Sequence, residues 1–377
     1  MNQPSIRNAL VVGGGFSGMS AAIELRKRGI AVDLVEIDAA WRNYGAGISI
    51  GGPTLRALRT LGVLERYLDE GYACDGVDVM AADGRFLASL PTPRIAGDDV
   101  PGSGAVMRPV LARILADATR ASGARVRLGC TVETLRQDAQ GVEVMFTDGG
   151  GGRYDLVIGA DGLYSQMRQR VLPDAPQPRY SGQGTWRAVL PRVAGIERTT
   201  LWVGDRIKAG VNPVSRSQMY LFVNETRAAN EHVPAERFVT MLRELLKQFG
   251  APQLQSLSAQ LDAHSLVVYR PLESLLVPAP WYSGRVVLIG DAVHATTPHL
   301  ASGAGIGIED AIVLAEELEA RASVEEALRC FQDRRFARCR MVVENSGRLG
   351  EIELTGGSRE EHAQIMRASF AALAEPI

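Results

Sequence analysis

The chain has 377 residues, of which 46% are hydrophobic and 22% are charged, a composition typical of a globular protein that is large enough for two domains. Its 41 Lys and Arg side chains nearly balance its 43 Asp and Glu side chains, so the charge gives no sign of a nucleic-acid partner. No apolar run reaches the ~20 residues that span a bilayer. The 4 cysteines form neither a C-x-x-C pair nor a zinc-type cluster with histidine. We therefore expect a cytoplasmic protein with reduced thiols, no metal and no membrane span.

The first predicted elements are a strand, a glycine-rich turn, a helix and a second strand. Residues 8–12 form a short apolar run, a helical pattern extends from Ser17 to Arg28, and residues 30–36 are rich in β-branched side chains. Gly29 is placed to end the helix. Two parallel strands joined through a helix make a right-handed βαβ unit, which is the predicted start of the fold.

The middle of the chain continues with mixed elements and then changes character. The pattern predicts a helix at 53–70, strands at 76–90, a loop at 91–104, a helix at 108–121, strands at 124–148 and a buried strand at 154–160. From about 180 to 270, alternating segments indicate an antiparallel sheet, interrupted by an amphipathic helix near 234–249. A buried strand at 285–290 precedes two helices, predicted at about 304–321 and 323–345.

This order predicts an α/β protein with a discontinuous Rossmann-like nucleotide-binding domain, an inserted antiparallel-sheet domain, and C-terminal helices. The predicted nucleotide-binding domain comprises 1–75, 102–178 and 281–345, the sheet domain comprises 76–101 and 179–280, and a helical tail covers 346–377.

The first glycine cluster has the pattern G-x-G-x-x-G between the first strand and the first helix. Gly13 permits a tight turn, Gly15 lets the backbone approach a pyrophosphate, and Gly18 lets the helix pack closely on the strand. The helix N-terminus offers free N–H groups to phosphate oxygens. Glu36 lies 18 residues after Gly18, at the end of the second strand, where a carboxylate can bind a ribose diol. The motif predicts a dinucleotide and leaves FAD and NAD as alternatives.

Two further glycine clusters also follow buried strands. Residues 155–168 read DLVIGADGLYSQMR, and residues 285–310 read RVVLIGDAVHATTPHLASGAGIGIED. With the first cluster, they make the chain resemble the group A flavoprotein monooxygenases, the single-component FAD-dependent aromatic hydroxylases that include 4-hydroxybenzoate and salicylate hydroxylases. The resemblance covers nearly the whole chain, and its three motifs occur in the family's order. It implies that the Rossmann-like domain binds FAD and that the inserted sheet domain binds the substrate.

The resemblance also implies a set of cofactor contacts. Those at the ADP half and its ribose and pyrophosphate are Gly13, Gly15, Phe16, Ser17, Gly18, Glu36, Arg42, Gly47 and Arg108, with Val132 beside the adenine. Asp161 and Gly162 would lie by the pyrophosphate and help NAD(P)H to dock, and Asp291 would bind a ribityl hydroxyl. A helix cap without a ligand is the alternative for both aspartates. The flavin itself would contact Pro298, Gly303, Ala304, Gly305 and Ile306.

The loop before the last glycine-rich helix departs from the common family pattern. Many members have G-Q-G-x-N, whereas this chain has Ala301-Ser302-Gly303-Ala304-Gly305, which is nearer to the salicylate-hydroxylase-like branch. The expected contacts to flavin N1 and the C2 carbonyl come from backbone N–H groups at 298–306, which would stabilise the anionic reduced flavin. Loss of the Gln and Asn side chains therefore does not remove the predicted cofactor.

The family's chemistry defines the predicted activity. NAD(P)H docks transiently and reduces the flavin, and O2 then gives a C4a-hydroperoxide that hydroxylates an electron-rich ring. We predict an FAD-dependent monooxygenase that uses NADH or NADPH and O2 on a small aromatic or heteroaromatic substrate, as a monomer or homodimer. The alternative is another FAD-dependent oxidoreductase on this fold, such as a dehydrogenase, a reductase or a halogenase, although the W-x-W-x-I-P segment expected of a halogenase is missing. A non-catalytic NAD-binding protein would leave the second and third clusters unexplained.

A base near the substrate is expected, because a deprotonated phenol is more reactive. His299 is the candidate base beside the reactive edge of the flavin, with a plain loop residue as the alternative. Arg187 could bind a carboxylate or a phenolate, or be an exposed strand arginine. Tyr220 and Tyr269 could line the pocket or serve sheet packing, and His294 is expected to be structural. The catalytic candidates are therefore His299, Arg187 and Tyr220.

Overall fold

The computed structural model describes residues 6–42 and 45–377. Its helices are α1 (Phe16–Lys27), α2 (Gly52–Leu61), α3 (Leu64–Glu70), α4 (Arg108–Ala121), α5 (Gln166–Val171), α6 (Phe238–Leu246), α7 (Pro252–Gln260), α8 (Asp291–His294), α9 (Gly303–Ala320), α10 (Val324–Thr355) and α11 (Arg359–Ala374). Short 3-10 turns cover Ala235–Arg237 and Pro298–Leu300.

The strands are distributed over the first three quarters of the chain. They are β1 (Asn8–Val12), β2 (Ala31–Glu36), β3 (Gly47–Gly51), β4 (Tyr72–Cys74), β5 (Val77–Ala81), β6 (Phe86–Leu90), β7 (Ser103–Met107), β8 (Arg125–Leu128), β9 (Val132–Gln137), β10 (Val142–Phe146), β11 (Gly151–Tyr154), β12 (Leu156–Gly159), β13 (Arg179–Pro191), β14 (Thr199–Val203), β15 (Ile207–Pro213), β16 (Gln218–Thr226), β17 (Val267–Ser274), β18 (Tyr282–Ser283) and β19 (Val286–Leu288).

A six-stranded sheet carries the three glycine clusters. Its order is β18-β19-β12-β1-β2-β8, and every pair in it is parallel except β18 with β19. Strands β1, β12 and β19 are almost wholly buried, as expected of strands covered on both faces. Because these three strands are parallel, the turns that follow them lie at the same edge of the sheet. Helix α1 packs against α4 and α9.

A seven-stranded sheet contains strands from both inserted segments. Its order is β17-β13-β16-β15-β14-β5-β6, and β5 joins it by parallel pairing with β14. Successive side chains of a strand point to opposite faces. Trp186 and Trp202 are therefore buried on one face, in a core that includes residues of α6 and α7. Tyr220 lies on the other face, in a small cluster with Ala46 and Ala105. This second face packs against β3 and β7, which pair in one of two smaller sheets, β3-β7-β4 and β11-β10-β9.

Three helical segments differ from the sequence expectations. The helix expected at 53–70 is divided into α2 and α3, because Gly62 adopts a left-handed φ of 78° between them. Helix α7 is not predicted, since Leu254 and Leu257 give it only a weak apolar stripe among glutamines and serines. Helix α10 continues to Thr355, past the expected end at 345 and into the predicted tail, and stops at Gly356 with φ 66°.

Among the described helices, none has the length and apolar character needed to cross a lipid bilayer. All 4 cysteines are free thiols.

Candidate active site

The glycines in and next to the turn between β1 and α1 are of two kinds: some are required by the fold, and one borders open space. A Cβ on Gly13, which has φ 107°, would lie 2.4 Å from the carbonyl oxygen of Ala160, and a Cβ on Gly18 would lie 2.0 Å from the carbonyl oxygen of Gly13. A Cβ on Gly15 would meet no described atom within 4 Å. The fold itself requires glycine at 13 and 18, whereas Gly15 borders open space. No side chain caps α1, and its first turn has no acidic residue, so its N–H groups remain available to an anion.

Glu36, at the end of β2, holds this turn through a hydrogen bond. Its Oε2 accepts a hydrogen bond from Gly14 N at 2.7 Å, and its Oε1 accepts one from Asp38 N at 2.8 Å. The indole of Trp41 donates to the carbonyl oxygen of Gly14 at 2.8 Å. The carboxylate is thus fixed beside the glycine turn, where a ribose diol would need it; its role in binding the ribose stays a prediction.

Arg108 begins α4 and contacts the first residue of α1. Its guanidinium lies 4.9 Å from the centroid of the Phe16 ring, a cation–π contact that involves two of the predicted cofactor residues. Burial lowers the pKa of Arg108, while the charge of Asp291 raises it and that of Arg187 lowers it again. Arg108 is therefore near enough to Asp291, Arg187 and Tyr220 for their charges to act on it.

Asp291 is the clearest sign of a cleft. It follows Gly290, whose φ is 63°, at the first position of α8. Its side chain is accessible to solvent, yet the carboxyl group is surrounded by protein atoms. This desolvation raises its pKa, while His294 and Arg108 lower it. A side chain that is accessible and at the same time deep in the protein lines a cavity. Asp291 therefore points into a cleft at the edge of the six-stranded sheet.

Arg187 and Tyr220 lie on the seven-stranded sheet, on the face opposite its helical core. Arg187 Nε donates a hydrogen bond to the Tyr220 hydroxyl at 3.0 Å. Gly47, predicted as a cofactor residue, is placed against Tyr220, because a Cβ there would lie 2.5 Å from the Tyr220 ring. Tyr269 lies on the helical side, with its ring centroid 4.6 Å from that of Trp186, so it packs in the core.

The segment from Gly290 to the start of α9 is held close to α1. Cβ atoms on Gly290 and on Gly307 would each lie 2.3 Å from the Ser17 hydroxyl, so Ser17 is enclosed by both glycines. Helix α9 starts at Gly303 without a side-chain cap or an acidic residue in its first turn. Its free N–H groups at 303–305 are therefore available to an electron-rich group. Pro298 before it is exposed, Gly303 and Ala304 are half-buried, and Gly305 and Ile306 are buried.

His299 is enclosed by protein groups in this structure. Its side chain is 1% exposed, its Nδ1 lies 2.9 Å from the Thr297 hydroxyl, and its Nε2 lies 3.4 Å from Glu353 Oε2. Burial lowers the pKa of His299, although Glu353 opposes that effect. Lys208 Nζ lies 2.5 Å from the other oxygen of Glu353. Sequence reasoning missed Glu353 and Lys208, and the role of His299 as a base stays a prediction.

Asp161 caps a helix. Its carboxylate accepts hydrogen bonds from the Ser165 hydroxyl and, at 2.9 Å, from Met167 N at the start of α5. This is the contact expected of the alternative assignment, and the pyrophosphate role of Asp161 stays a prediction. Gly162 has φ 81°, and a Cβ on it would meet no described atom within 4 Å.

Arg168 joins the second and third clusters, a role that sequence reasoning missed. It is 1% exposed, and its guanidinium donates to the carbonyl oxygens of Leu163 at 2.9 Å and Ala292 at 2.8 Å. Two other predicted cofactor residues lie apart from these contacts. Arg42 is exposed and pairs with Asp38 at 3.2 Å, and Val132 is buried in the core at the start of β9.

The described residues fit FAD. The open space at Gly15 and Gly162 borders uncapped or glycine-rich backbone that suits a pyrophosphate, and the accessible carboxyl of Asp291 suits a polyol. The uncapped start of α9 suits the electron-rich edge of a flavin. A family model described as "FAD binding domain" matches residues 7–346.

The chain belongs to this FAD-binding family.

Similar proteins agree with this assignment. The 2-heptyl-3-hydroxy-4(1H)-quinolone synthase of Pseudomonas aeruginosa is 34% identical over 349 residues, covering 91% of this chain and 90% of that protein. An FAD-dependent urate hydroxylase of Klebsiella oxytoca is 30% identical over 350 residues, covering 89% of this chain and 87% of that protein. The crystal structure of Klebsiella pneumoniae HpxO complexed with FAD and uric acid superposes with a TM-score of 0.81 at 27% identity, covering 98% of this chain and 93% of that one. The protein is an FAD-dependent monooxygenase of the single-component aromatic hydroxylase group, and its predicted α/β fold is confirmed.

Proposed function

We propose that this monooxygenase uses NADH or NADPH and O2 to hydroxylate a small heteroaromatic compound that binds as an anion. The observation that carries the proposal is the hydrogen-bonded pair of Arg187 and Tyr220, on the face of the seven-stranded sheet opposite its helical core. Arg108 lies close enough to Arg187 and to the accessible carboxyl of Asp291 for the charges of both to act on it. A ring placed there would have the cofactor on one side and a fixed guanidinium on the other.

We assign the residues that border open space to the cofactor end of the cleft. Gly15 and the start of α1 would hold the pyrophosphate, Glu36 the ribose, and Asp291 the ribityl chain. The free N–H groups at the start of α9 would hold the pyrimidine edge of the flavin and favour its reduced, anionic form. FAD, when bound, supplies the two-electron and oxygen chemistry, and the protein supplies position, dryness and control of protons.

The substrate class is inferred from the charge and the surface of the opposite wall. A guanidinium is always charged and binds carboxylate or enolate oxygens in a fixed geometry. The Tyr220 hydroxyl oxygen accepts a hydrogen bond from Arg187, so its own O–H is free to donate to a substrate oxygen. The half-buried side chains of Val189 and Phe222 beside them add an apolar surface for a flat ring. The urate and quinolone in the relatives' names, both nitrogen heterocycles with ionisable groups, support a heteroaromatic anion.

The nicotinamide co-substrate is expected to bind transiently near Asp161 and Gly162. The sequence has no second G-x-G-x-x-G motif, which supports transient binding without a dedicated Rossmann domain. The cytoplasm, where both nicotinamide cofactors are available in reduced form, is the proposed location. For the substrate proton, His299 is the candidate acceptor: the lowered pKa keeps its imidazole neutral at pH 7, as a base requires.

The experiment is a screen of the purified holoenzyme. Phenols, aromatic acids and ionisable N-heterocycles are tested for stimulation of NADH and NADPH oxidation, and the products are analysed after turnover in 18O2. Stimulation by anionic heterocycles with one 18O atom in the product is the expected result. Stimulation without incorporated oxygen would instead indicate a dehydrogenase or a reductase. An Arg187→Lys variant that keeps the wild-type KM for the best substrate would contradict the assignment of Arg187 as the anion-binding residue.

A further inference from the structure

A buried network of charged side chains lies behind the segment that joins α8 to α9. Asp310, on α9, has no exposed surface. Its Oδ2 accepts hydrogen bonds from Gly290 N at 2.9 Å and from His294 Nε2 at 2.5 Å, and its Oδ1 accepts from Arg335 Nε at 2.8 Å. One carboxylate therefore holds the backbone residue that directly precedes Asp291, together with a histidine of α8 and an arginine of α10.

Arg335 extends the network to the other end of the same segment. It is 1% exposed, and its Nη2 donates to the carbonyl oxygen of Ile306 at 3.0 Å, in the first turn of α9. Its Nη1 donates to Glu309 at 3.0 Å. Asp310 thus reaches Gly290 directly and Ile306 through Arg335. These are the two ends of the backbone assigned to the ribityl chain and to the flavin edge.

His294, Asp310 and Cys339 also have the composition of a metal site, since their ligand atoms all lie within 4.8 Å of one another. Arg335 already occupies that arrangement. Its Nε lies 2.8 Å from Asp310 and its Nη2 lies 3.5 Å from the Cys339 sulfur. The guanidinium supplies the positive charge that a metal ion would bring, so the cluster is better described as a hydrogen-bonded ion network.

The network is charged at neutral pH. Burial alone would raise the pKa of Asp310, but His294 and Arg335 outweigh it and lower that pKa to about 2. Burial disfavours the charged imidazole of His294, yet the carboxylate of Asp310 raises its pKa well above 6.5. The same two groups act on the cleft, because His294 lowers the pKa of Asp291 and Asp310 raises it. The network and the ribityl-binding carboxyl are therefore electrostatically coupled.

We propose that Asp310 is a positioning residue for the flavin, which fixes Gly290 and, through Arg335, the first turn of α9, and thereby sets the affinity and the reduction potential of bound FAD. The inference rests on FAD binding by this chain. Rigid N–H groups stabilise a developing negative charge without having to reorganise. Loosening both ends of the segment should therefore weaken binding of reduced flavin more than binding of oxidised flavin.

The test compares two matched substitutions on α9 in the holoenzyme. Asp310→Asn keeps the shape of the side chain and removes its charge. The control, Glu317→Gln, breaks a similar contact between α9 and α10, in which Arg334 Nη1 donates to Glu317 Oε1 at 2.8 Å. Glu317 is 3% exposed, and its carboxylate accepts hydrogen bonds from Arg321 and Arg334, which both lie outside residues 290–306.

Both variants should lose thermal stability, but only Asp310→Asn should change the flavin. We expect it to raise the Kd for FAD about tenfold, alter the visible flavin band, and lower the midpoint potential by ~30 mV, which corresponds to a tenfold preference against reduced flavin in a two-electron couple. Because His294 should lose its proton together with the lost carboxylate charge, the net charge changes little. The shift would then report geometry.

The proposal is overturned if Asp310→Asn has the potential and spectrum of wild type, or if Glu317→Gln shifts them equally. Should Asp310→Asn not accumulate in folded form, Arg335→Lys replaces it, since lysine keeps the charge but cannot reach both Asp310 and Ile306. A wild-type potential in that variant also overturns the proposal. A wild-type protein that carries no flavin would instead contradict the assignment of FAD itself.

Discussion

The two glycines of the first turn allow the cofactor site to be tested separately from the fold. Gly15 has φ −75°, which any residue adopts, and a Cβ there would meet no described atom within 4 Å. Gly18 lies within α1, and a Cβ on it would lie 2.0 Å from the backbone oxygen of Gly13. Gly15→Ala should therefore leave the stability of the FAD-free protein unchanged but weaken FAD binding, whereas Gly18→Ala should destabilise the protein itself.

The magnitudes follow from these surroundings. At Gly15, alanine is a less favourable N-cap residue than glycine, which destabilises the folded state by ~0.5–1 kcal/mol. Alanine also restricts the unfolded chain, which stabilises the protein by a similar ~0.5–1 kcal/mol, so the two effects oppose each other. Apoprotein stability should then change by less than ~0.5 kcal/mol. A methyl group between the backbone and a pyrophosphate should remove one hydrogen bond to a charged group, ~1.5–3 kcal/mol, or roughly 10- to 150-fold in Kd. Overpacking at Gly18 should cost about 1–3 kcal/mol.

The assay has two parts, thermal denaturation of deflavinated protein and titration of that protein with FAD followed by flavin fluorescence. Gly15→Ala should keep the wild-type Tm and bind FAD weakly, while Gly18→Ala should lower the Tm of the apoprotein. If Gly15→Ala destabilises the apoprotein as much as Gly18→Ala does, the space beside Gly15 is not a ligand site. Unchanged FAD affinity in Gly15→Ala would equally refute the assignment of the pyrophosphate.

Three further predictions concern Tyr220, His299 and Glu353. Tyr220→Phe should raise KM about 5- to 30-fold, because Arg187 loses a hydrogen-bond acceptor worth ~1–2 kcal/mol, whereas Tyr269→Phe on the helical face should leave KM unchanged. His299→Asn should keep FAD bound and slow hydroxylation ~10²-fold if His299 is the base; product and peroxide yields across pH 6 to 9 measure this, and an unchanged pH profile would mean a loop residue. Burial opposes ionisation of Glu353, but Lys208 and two histidines hold its pKa well below 4.5. The destabilisation caused by Glu353→Gln should therefore be greatest above pH 4.5 and vanish as the pH falls through the lowered pKa, which denaturation from pH 7 to pH 3 would detect.

The sequence predicts the parts of the fold that are written in local patterns. Helix α4 has its predicted bounds, 108–121, because an apolar stripe starts directly after a strand and ends near Gly123. The βαβ start is placed as expected, with Gly29 at φ 76° after α1. Such signals lie within a few residues of each other, so no knowledge of the tertiary fold is needed to interpret them.

The parts of the site that were missed depend on contacts between distant segments. Lys208 and Glu353 are 145 residues apart in sequence, and each looks like an ordinary charge on a strand or a helix. Arg335 and Asp310 likewise become a buried pair only when α10 packs on α9. A single sequence gives no signal for such pairing, because burial of a charge depends on the partner that the fold supplies.

The departure from G-Q-G-x-N is also explained by the backbone. Ala301 occupies the left-handed region with φ 49°, where an L-residue other than glycine costs about 1–2 kcal/mol, and its N–H donates to the Pro298 carbonyl oxygen at 3.0 Å. Glycine, the family residue at this position, would adopt that conformation without strain. The turn nevertheless keeps its form, so the surrounding structure must hold it. Since α9 then starts with uncapped N–H groups, the flavin contacts depend on how firmly the ends of this segment are anchored, and the side chains at 301–305 are free to differ.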